Sequence, residues 1–181
     1  MKVCHKVSES VTKTENGAPK EALRCLKKRI EQMFYGRYEH NIDKKGRMTV
    51  PSTFRDRTTD GVVCVTKGLD GNLMAYAKDT FDIIAESINR ISITDPNLRS
   101  FRREILGSSA ELTYDTAGRI LIPLHLRKLA GIEESVIIIG VGDSFEIWAS
   151  DRLEAFEEAN HDPEAQSQAW ASLDITASRG K

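Results

Sequence analysis

Two short stretches alternate apolar and polar side chains. From Arg47 to Pro51, Met48 and Val50 alternate with Arg47 and Thr49; from Arg119 to Pro123, Ile120 and Ile122 alternate with Arg119 and Leu121. Period two predicts a strand with one buried face. Pro51 and Pro123 end these strands and suit the first position of a following helix. The second such helix, residues 123–130, places Leu126, Leu129 and Ala130 on one face and stops at Gly131. Apolar runs at Val62 to Thr66 and Val136 to Ile139 predict strands, each followed by a turn (Gly68 to Gly71; Gly140 to Asp143) and a second strand, Leu73 to Tyr76 and Phe145 to Trp148. Asp79 and Asp151 then open helices as acidic caps.

These elements are one pattern written twice. Residue n set beside residue n+72 needs no gap: Asp43-Lys44-Lys45-Gly46-Arg47-Met48-Thr49-Val50-Pro51 lies over Asp115-Thr116-Ala117-Gly118-Arg119-Ile120-Leu121-Ile122-Pro123. Arg55 lies over Arg127, Gly68 over Gly140, Tyr76 over Trp148 and Asp79 over Asp151. Both copies read Asp-x-x-Gly-Arg-x-x-x-Pro-x-x-x-Arg. Each unit is therefore expected to run strand, turn, strand, helix, strand, strand, helix. One such half buries too little surface to stand alone, and two can share a core.

Flanking this duplication, residues 1–32 are expected to form an extension, disordered or partly helical, with Leu23, Leu26 and Ile30 on one helical stripe. The units are expected at residues 33–104 and 105–160. After Arg152 an acidic helix (Leu153, Phe156, Ala159) should lead into a flexible acidic tail, residues 161–181, rich in Ser, Ala and Gln.

The 181 residues carry 26 Lys and Arg against 27 Asp and Glu, so the net charge of −1 excludes a polycation that coats nucleic acid everywhere. Any nucleic-acid site must be local. The first turn supplies a local excess: residues 40–57 hold five basic and two acidic side chains. No apolar run is long enough to span a membrane, and no secretory leader is evident, so no membrane partner is expected. The cysteines Cys4, Cys25 and Cys64 are three and widely spaced, which argues against a zinc knuckle or a disulfide framework and for a reducing cytoplasm.

Arg47 follows the turn glycine and alternates with buried Met48, so it should point away from the core beside Asp43, four residues back. A carboxylate there holds the guanidinium extended, and an arginine so held loses less rotamer freedom on meeting a guanine edge or a phosphate. The residues alone allow a second reading, in which each Asp–Arg pair only staples its own turn. Lys44 and Lys45 favour DNA contact for the first copy. For Asp115 and Arg119, whose turn lacks lysines, the two readings stand level. Arg55 and Arg127 are expected in structure or subunit contact, and Arg99, Arg102 and Arg103 on a solvated helical face. No enzyme is expected: His5, His40, His125 and His161 are scattered, and no nucleophile elbow, phosphate loop or zinc-protease motif is present. Neither a cofactor, a metal nor a small-molecule ligand is indicated.

The doubled motif, with Met33-Phe34-Tyr35-Gly36 ahead of it, resembles the bacterial MraZ proteins, of the AbrB/SpoVT class of swapped-hairpin β-barrel regulators. The resemblance covers roughly Met33 to Ala159. It implies an α+β fold, a duplicated swapped-hairpin (double-split) β-barrel with flanking helices. It further implies a transcriptional regulator of the division and cell-wall gene cluster, cytoplasmic and nucleoid-associated. Such a protein forms a closed ring oligomer and binds double-stranded DNA at tandem repeats upstream of its own operon. The family's Asp-x-x-x-Arg signature falls on Asp43 to Arg47 and Asp115 to Arg119, so Asp43, Lys44, Lys45, Arg47, Asp115 and Arg119 are the expected DNA-binding residues. The alternative is a scaffold or antitoxin-like module that binds a protein through the same barrel, with the acidic end as its reach.

Overall fold

A computed structural model describes residues 33–172. The stripe of Leu23, Leu26 and Ile30 and the last residues of the acidic end lie outside the described residues. The chain is α+β. Its elements run β1 (Phe34–Asn41), β2 (Arg47–Thr49), α1 (Ser52–Arg55), β3 (Val62–Lys67), β4 (Leu73–Ala77), α2 (Lys78–Asn89) and α3 (Pro96–Gly107), then β5 (Ala110–Thr113), β6 (Arg119–Leu121), α4 (Leu124–Ala130), β7 (Ser135–Gly142), β8 (Ser144–Ala149), α5 (Ser150–Ala159) and α6 (Pro163–Ser172). The expected order of elements is present in both halves.

Six strands form one antiparallel sheet in the order β1-β7-β8-β4-β3-β5, and β2 and β6 pair with each other as a separate two-stranded ribbon. The halves are interleaved. The first strand of each half leaves its own hairpin: β1 pairs with β7, and β5 pairs with β3. The alternation read from the sequence decides which way the ribbon faces. Met48, Val50, Ile120 and Ile122 are fully buried, and the residues that alternate with them, Arg47, Thr49, Arg119 and the apolar Leu121, face out.

The core lies between sheet and ribbon. On one side it is aromatic: Phe34, Phe54 and Phe145 pack with ring centroids 5.2–5.3 Å apart, and Tyr38 packs edge-on to Phe54 at 5.3 Å. The positions matching Phe54 and Phe145 in the other half are Leu126 and Leu73, also fully buried. Outside the sheet, α5 buries Leu153 against Ile137 and Trp148, while Tyr76 packs on Phe81 of α2.

The gapless 72-residue register needs correcting. Ala77 and Ala149 are 72 residues apart, yet they pair with Val63 and Val136, which are 73 apart. Lys67, not Gly68, therefore corresponds to Gly140. One residue has been gained between α4 and β7 and one lost from the β7–β8 hairpin. The turn predicted from Gly140 to Asp143 falls within the β7–β8 connection, where pairing between the two strands ends at Gly140 opposite Phe145, although β7 runs on to Gly142 by pairing with β1. The gain before β7 and the loss after it offset each other, so β7 keeps the same place between its neighbours as β3, with Val136 and Ile138 on the buried face.

Three smaller expectations also change. Pro51 and Pro123 stand just before their helices and not within them. Asp79 and Asp151 lie in the first helical turn, with Ala77 and Ala149 at the cap position. The stretch predicted as a structureless tail contains α6. Asp162 accepts the backbone N–H groups of Glu164 (3.0 Å) and Ala165 (3.1 Å), and Pro163 follows it as a favourable first helical residue. By contrast Gly131 ends α4 in the left-handed region (φ 65°), as its position predicts.

Candidate nucleic-acid interface

Each Asp-x-x-Gly-Arg segment folds into the same turn. In the first, Asp43 Oδ1 accepts from the backbone N–H groups of Lys45 and Arg47, both at 2.9 Å, and Oδ2 accepts from Arg47 Nε at 2.7 Å. The backbone closes behind it, with Gly46 N–H on Asp43 O at 2.8 Å and Asp43 N–H on Arg47 O at 2.9 Å. In the second, Asp115 Oδ1 accepts from Ala117 (3.0 Å) and Arg119 (2.9 Å), and Oδ2 from Arg119 Nε (2.8 Å), with both backbone bonds at 2.8 Å. Gly46 (φ 85°) and Gly118 (φ 73°) occupy the left-handed conformation that makes the turn possible.

Charge follows geometry. The Asp43 carboxyl is held below its ordinary pKa, first by the backbone N–H of Arg47, then by its guanidinium and the Lys45 N–H, with partial desolvation opposing. The Asp115 carboxyl is lowered first by the Arg119 guanidinium, then by that residue's backbone. Arg119 is raised in turn, chiefly by Asp115, with a further contribution from Asp43 of the other turn. Both carboxylates are thus ionised at neutral pH, and each fixes its arginine by a charge-assisted bond.

All six expected site residues reach solvent. Lys44, Lys45, Thr116 and Ala117 are exposed at the turn tips. The side chains of Arg47 and Asp43 are 34% and 35% exposed, those of Arg119 and Asp115 both 33%. Sequence reasoning treated the motifs as two separate tips. The ribbon brings them together. Arg47 stands opposite Leu121 and Thr49 opposite Arg119, around a centre at Met48 and Ile120. Arg47 and Arg119 are therefore diagonal neighbours on one face, at a spacing of about 7–8 Å for such pairs. The two turns themselves lie at opposite ends of the ribbon, so the outward face carries Arg47, Thr49, Arg119 and Leu121 as one continuous strip.

Two residues matter more than the sequence suggested. Arg127 lies over Gly46 and Arg55 over Gly118: a Cβ placed on Gly46 would meet the Arg127 guanidinium carbon at 2.9 Å, and one on Gly118 would overlap the Arg55 Nη1. Both arginines thus pack across the interface between the halves, and Arg127 also caps the carbonyl just past β6, donating from Nε to Ile122 O at 3.2 Å. Their fixed spacing after each motif was the only signal in the sequence. Arg99, Arg102 and Arg103 lie on α3, which buries no residue; Arg99 caps the carbonyls of Ile93 and Thr94. Among the described residues, no helix is long and apolar enough to cross a membrane.

Fold and site together define the class as a duplicated α+β chain with two aspartate-held arginines on one β-ribbon. Comparison with known proteins narrows the class. A family model described as "MraZ protein, putative antitoxin-like" matches residues 33–104 and again 105–174. A transcriptional regulator MraZ from Acetivibrio thermocellus is 38% identical over 144 residues, covering 79% of this chain and all of the relative. Proteins of the same name from Syntrophomonas wolfei and Ligilactobacillus salivarius are each 40% identical, over 70% and 68% of this chain and 87% and 86% of their own. The chain belongs to the MraZ family, a family of regulators and not of enzymes.

Proposed function

We propose that the chain is a sequence-specific DNA-binding transcriptional regulator that reads double-stranded DNA with the outward strip of the β2–β6 ribbon. The observation that carries this reading is the pair of pre-oriented arginines, Arg47 and Arg119, on one face beside the exposed Lys44 and Lys45. A two-stranded ribbon fits a major groove about 12 Å wide. A spacing of ~7–8 Å between the arginines corresponds to about two base-pair steps of ~3.4 Å. The arginines meet guanine edges, the lysines meet phosphates, and Asp43 and Asp115 keep each guanidinium extended between encounters.

The exchanged strands β1 and β5 support a swapped-hairpin barrel built from two AbrB/SpoVT-like repeats, residues 33–104 and 105–160. A chain of net charge −1 gains affinity when several copies present their strips together, because linked sites raise the effective concentration. From the family resemblance we further propose a closed ring of such chains on tandem repeats upstream of its own operon, in the division and cell-wall cluster of a bacterial cytoplasm.

Arg47→Ala is the test. It should weaken sequence-specific binding by about tenfold or more, the order of magnitude of one lost bidentate arginine–guanine contact, while the oligomer persists on size exclusion. Unchanged affinity in a gel-shift titration would overturn the assignment. The family's description as antitoxin-like favours a second reading, a protein-binding module. Size exclusion of the full chain with a promoter duplex separates the two, since only the DNA reading gives a complex containing the duplex.

A further inference from the structure

Each recognition turn is made by one repeat but roofed by the other. Gly46 O accepts from Ile122 N–H at 2.9 Å, Ile122 O accepts from Arg127 Nε at 3.2 Å, and the Arg127 guanidinium lies back over Gly46. This is a closed circuit from the second repeat onto the first turn. Its counterpart runs the other way: Gly118 O accepts from Val50 N–H at 3.1 Å, and the Arg55 guanidinium occupies the space a side chain at position 118 would need. Glycine therefore serves twice at these positions, for its positive φ and for the room it leaves a guanidinium. Packing a planar, permanently charged group against a turn glycine is a task for arginine and not for lysine.

We propose that Arg127 and Arg55 are positioning residues that hold the opposite repeat's turn in its binding-competent shape, so that each turn is energetically coupled to the other repeat's helix. Removing Arg127 frees the turn that carries Lys44, Lys45 and Arg47; removing Arg55 frees the turn that carries Arg119. The part of this inference that concerns DNA rests on the function proposed above, whereas the brace itself does not.

Two measurements on the full chain test it. In the first, backbone amide exchange is compared in wild type, Arg127→Ala and Arg55→Ala. Arg127→Ala should speed exchange at residues 43–47 by about threefold or more, as expected for easier local opening, and leave residues 115–119 unchanged; Arg55→Ala should do the reverse. Exchange that stays unchanged, or rises equally in both turns, overturns the brace. If Arg127→Ala lowers global stability, Arg127→Lys keeps charge and stem, and the same crossed pattern is expected in weaker form.

In the second, binding is titrated on a duplex selected by the wild-type chain from a randomised pool. Arg127→Ala should weaken binding by about three- to tenfold, the cost of re-ordering the freed side chains. It should combine less than additively with Arg47→Ala and additively with Arg119→Ala. Equal additivity with both overturns the coupling. If the wild-type chain selects no duplex, the DNA reading fails, and amide exchange alone decides the brace.

Discussion

The two turns are near copies in their backbones and differ in what they display. Matching hydrogen bonds agree to about 0.1 Å around Asp43 and Asp115. Where the first turn exposes Lys44 and Lys45, the second exposes Thr116 and Ala117. Where the first ribbon strand and helix carry Thr49 and Ser52, the second carry Leu121 and Leu124, each 55% exposed. The positions that stay the same are those whose side chains or conformations close the turn: Asp, Gly and Arg. Those free to differ give the turn at most a backbone N–H, which any residue but proline supplies. The frame is thus held constant by its own hydrogen bonding, while its surface chemistry has diverged into a cationic half and a more apolar one.

The comparison extends into the core, where the largest effect is expected. Phe54→Ala removes a ring that touches Phe34, Tyr38 and Phe145 and should cost about 3–5 kcal/mol in urea unfolding. The equivalent change in the other half, Leu126→Ala, should cost about 2–5 kcal/mol. A cost for Phe54→Ala below that of Leu126→Ala would show that the aromatic side is not the better packed.

A smaller effect follows from the exposed tips. Lys44→Ala should weaken binding to all sequences alike and lower the salt dependence by about 0.9 per lost phosphate contact. Thr116→Lys in the second turn should raise it by a similar amount if the two turns face the same duplex. A salt dependence unmoved by Thr116→Lys would mean that the second turn does not approach the backbone.

The subtlest effect concerns pH. Asp43 and Asp115 are both held below an ordinary value near 3.8, so the folded turns bind the ionised form more strongly than the unfolded chain does. Their contribution to stability is complete above about pH 4 and is lost as the pH falls through the folded values. Between pH 5 and 8 neither turn should change. Carboxyl titration by NMR should find both groups depressed; a normal value for one alone would break the equivalence of the frames.

Much of this was legible in the sequence because it is local. Asp43 reaches Lys45 and Arg47, two and four residues away, so spacing alone predicts the turn. Alternation predicts that Met48 and Ile120 are buried, since side chains change face at every residue of a strand. The one-residue slip between β3 and β7 was not legible, because Gly68 and Gly140 match by identity and only strand pairing reveals that they are not equivalent. The helix Pro163–Ser172 was hidden for a different reason: it buries no apolar stripe, so periodicity gave no signal, and the Asp162-Pro163 start was its one mark.

The sequence by itself determined that a unit is repeated, that each copy ends a hairpin in an aspartate-braced arginine, and that the chain carries too little positive charge to bind nucleic acid without concentrating it. Tertiary structure alone decided that Arg47 and Arg119 share one face, that β1 and β5 are exchanged, and that Arg127 and Arg55 each roof the other repeat's glycine. The division has a physical cause. Turn and alternation arise from contacts a few residues apart. The shared face and the crossed arginines depend on pairing between segments some 72 residues apart, which only burial of a common core can fix.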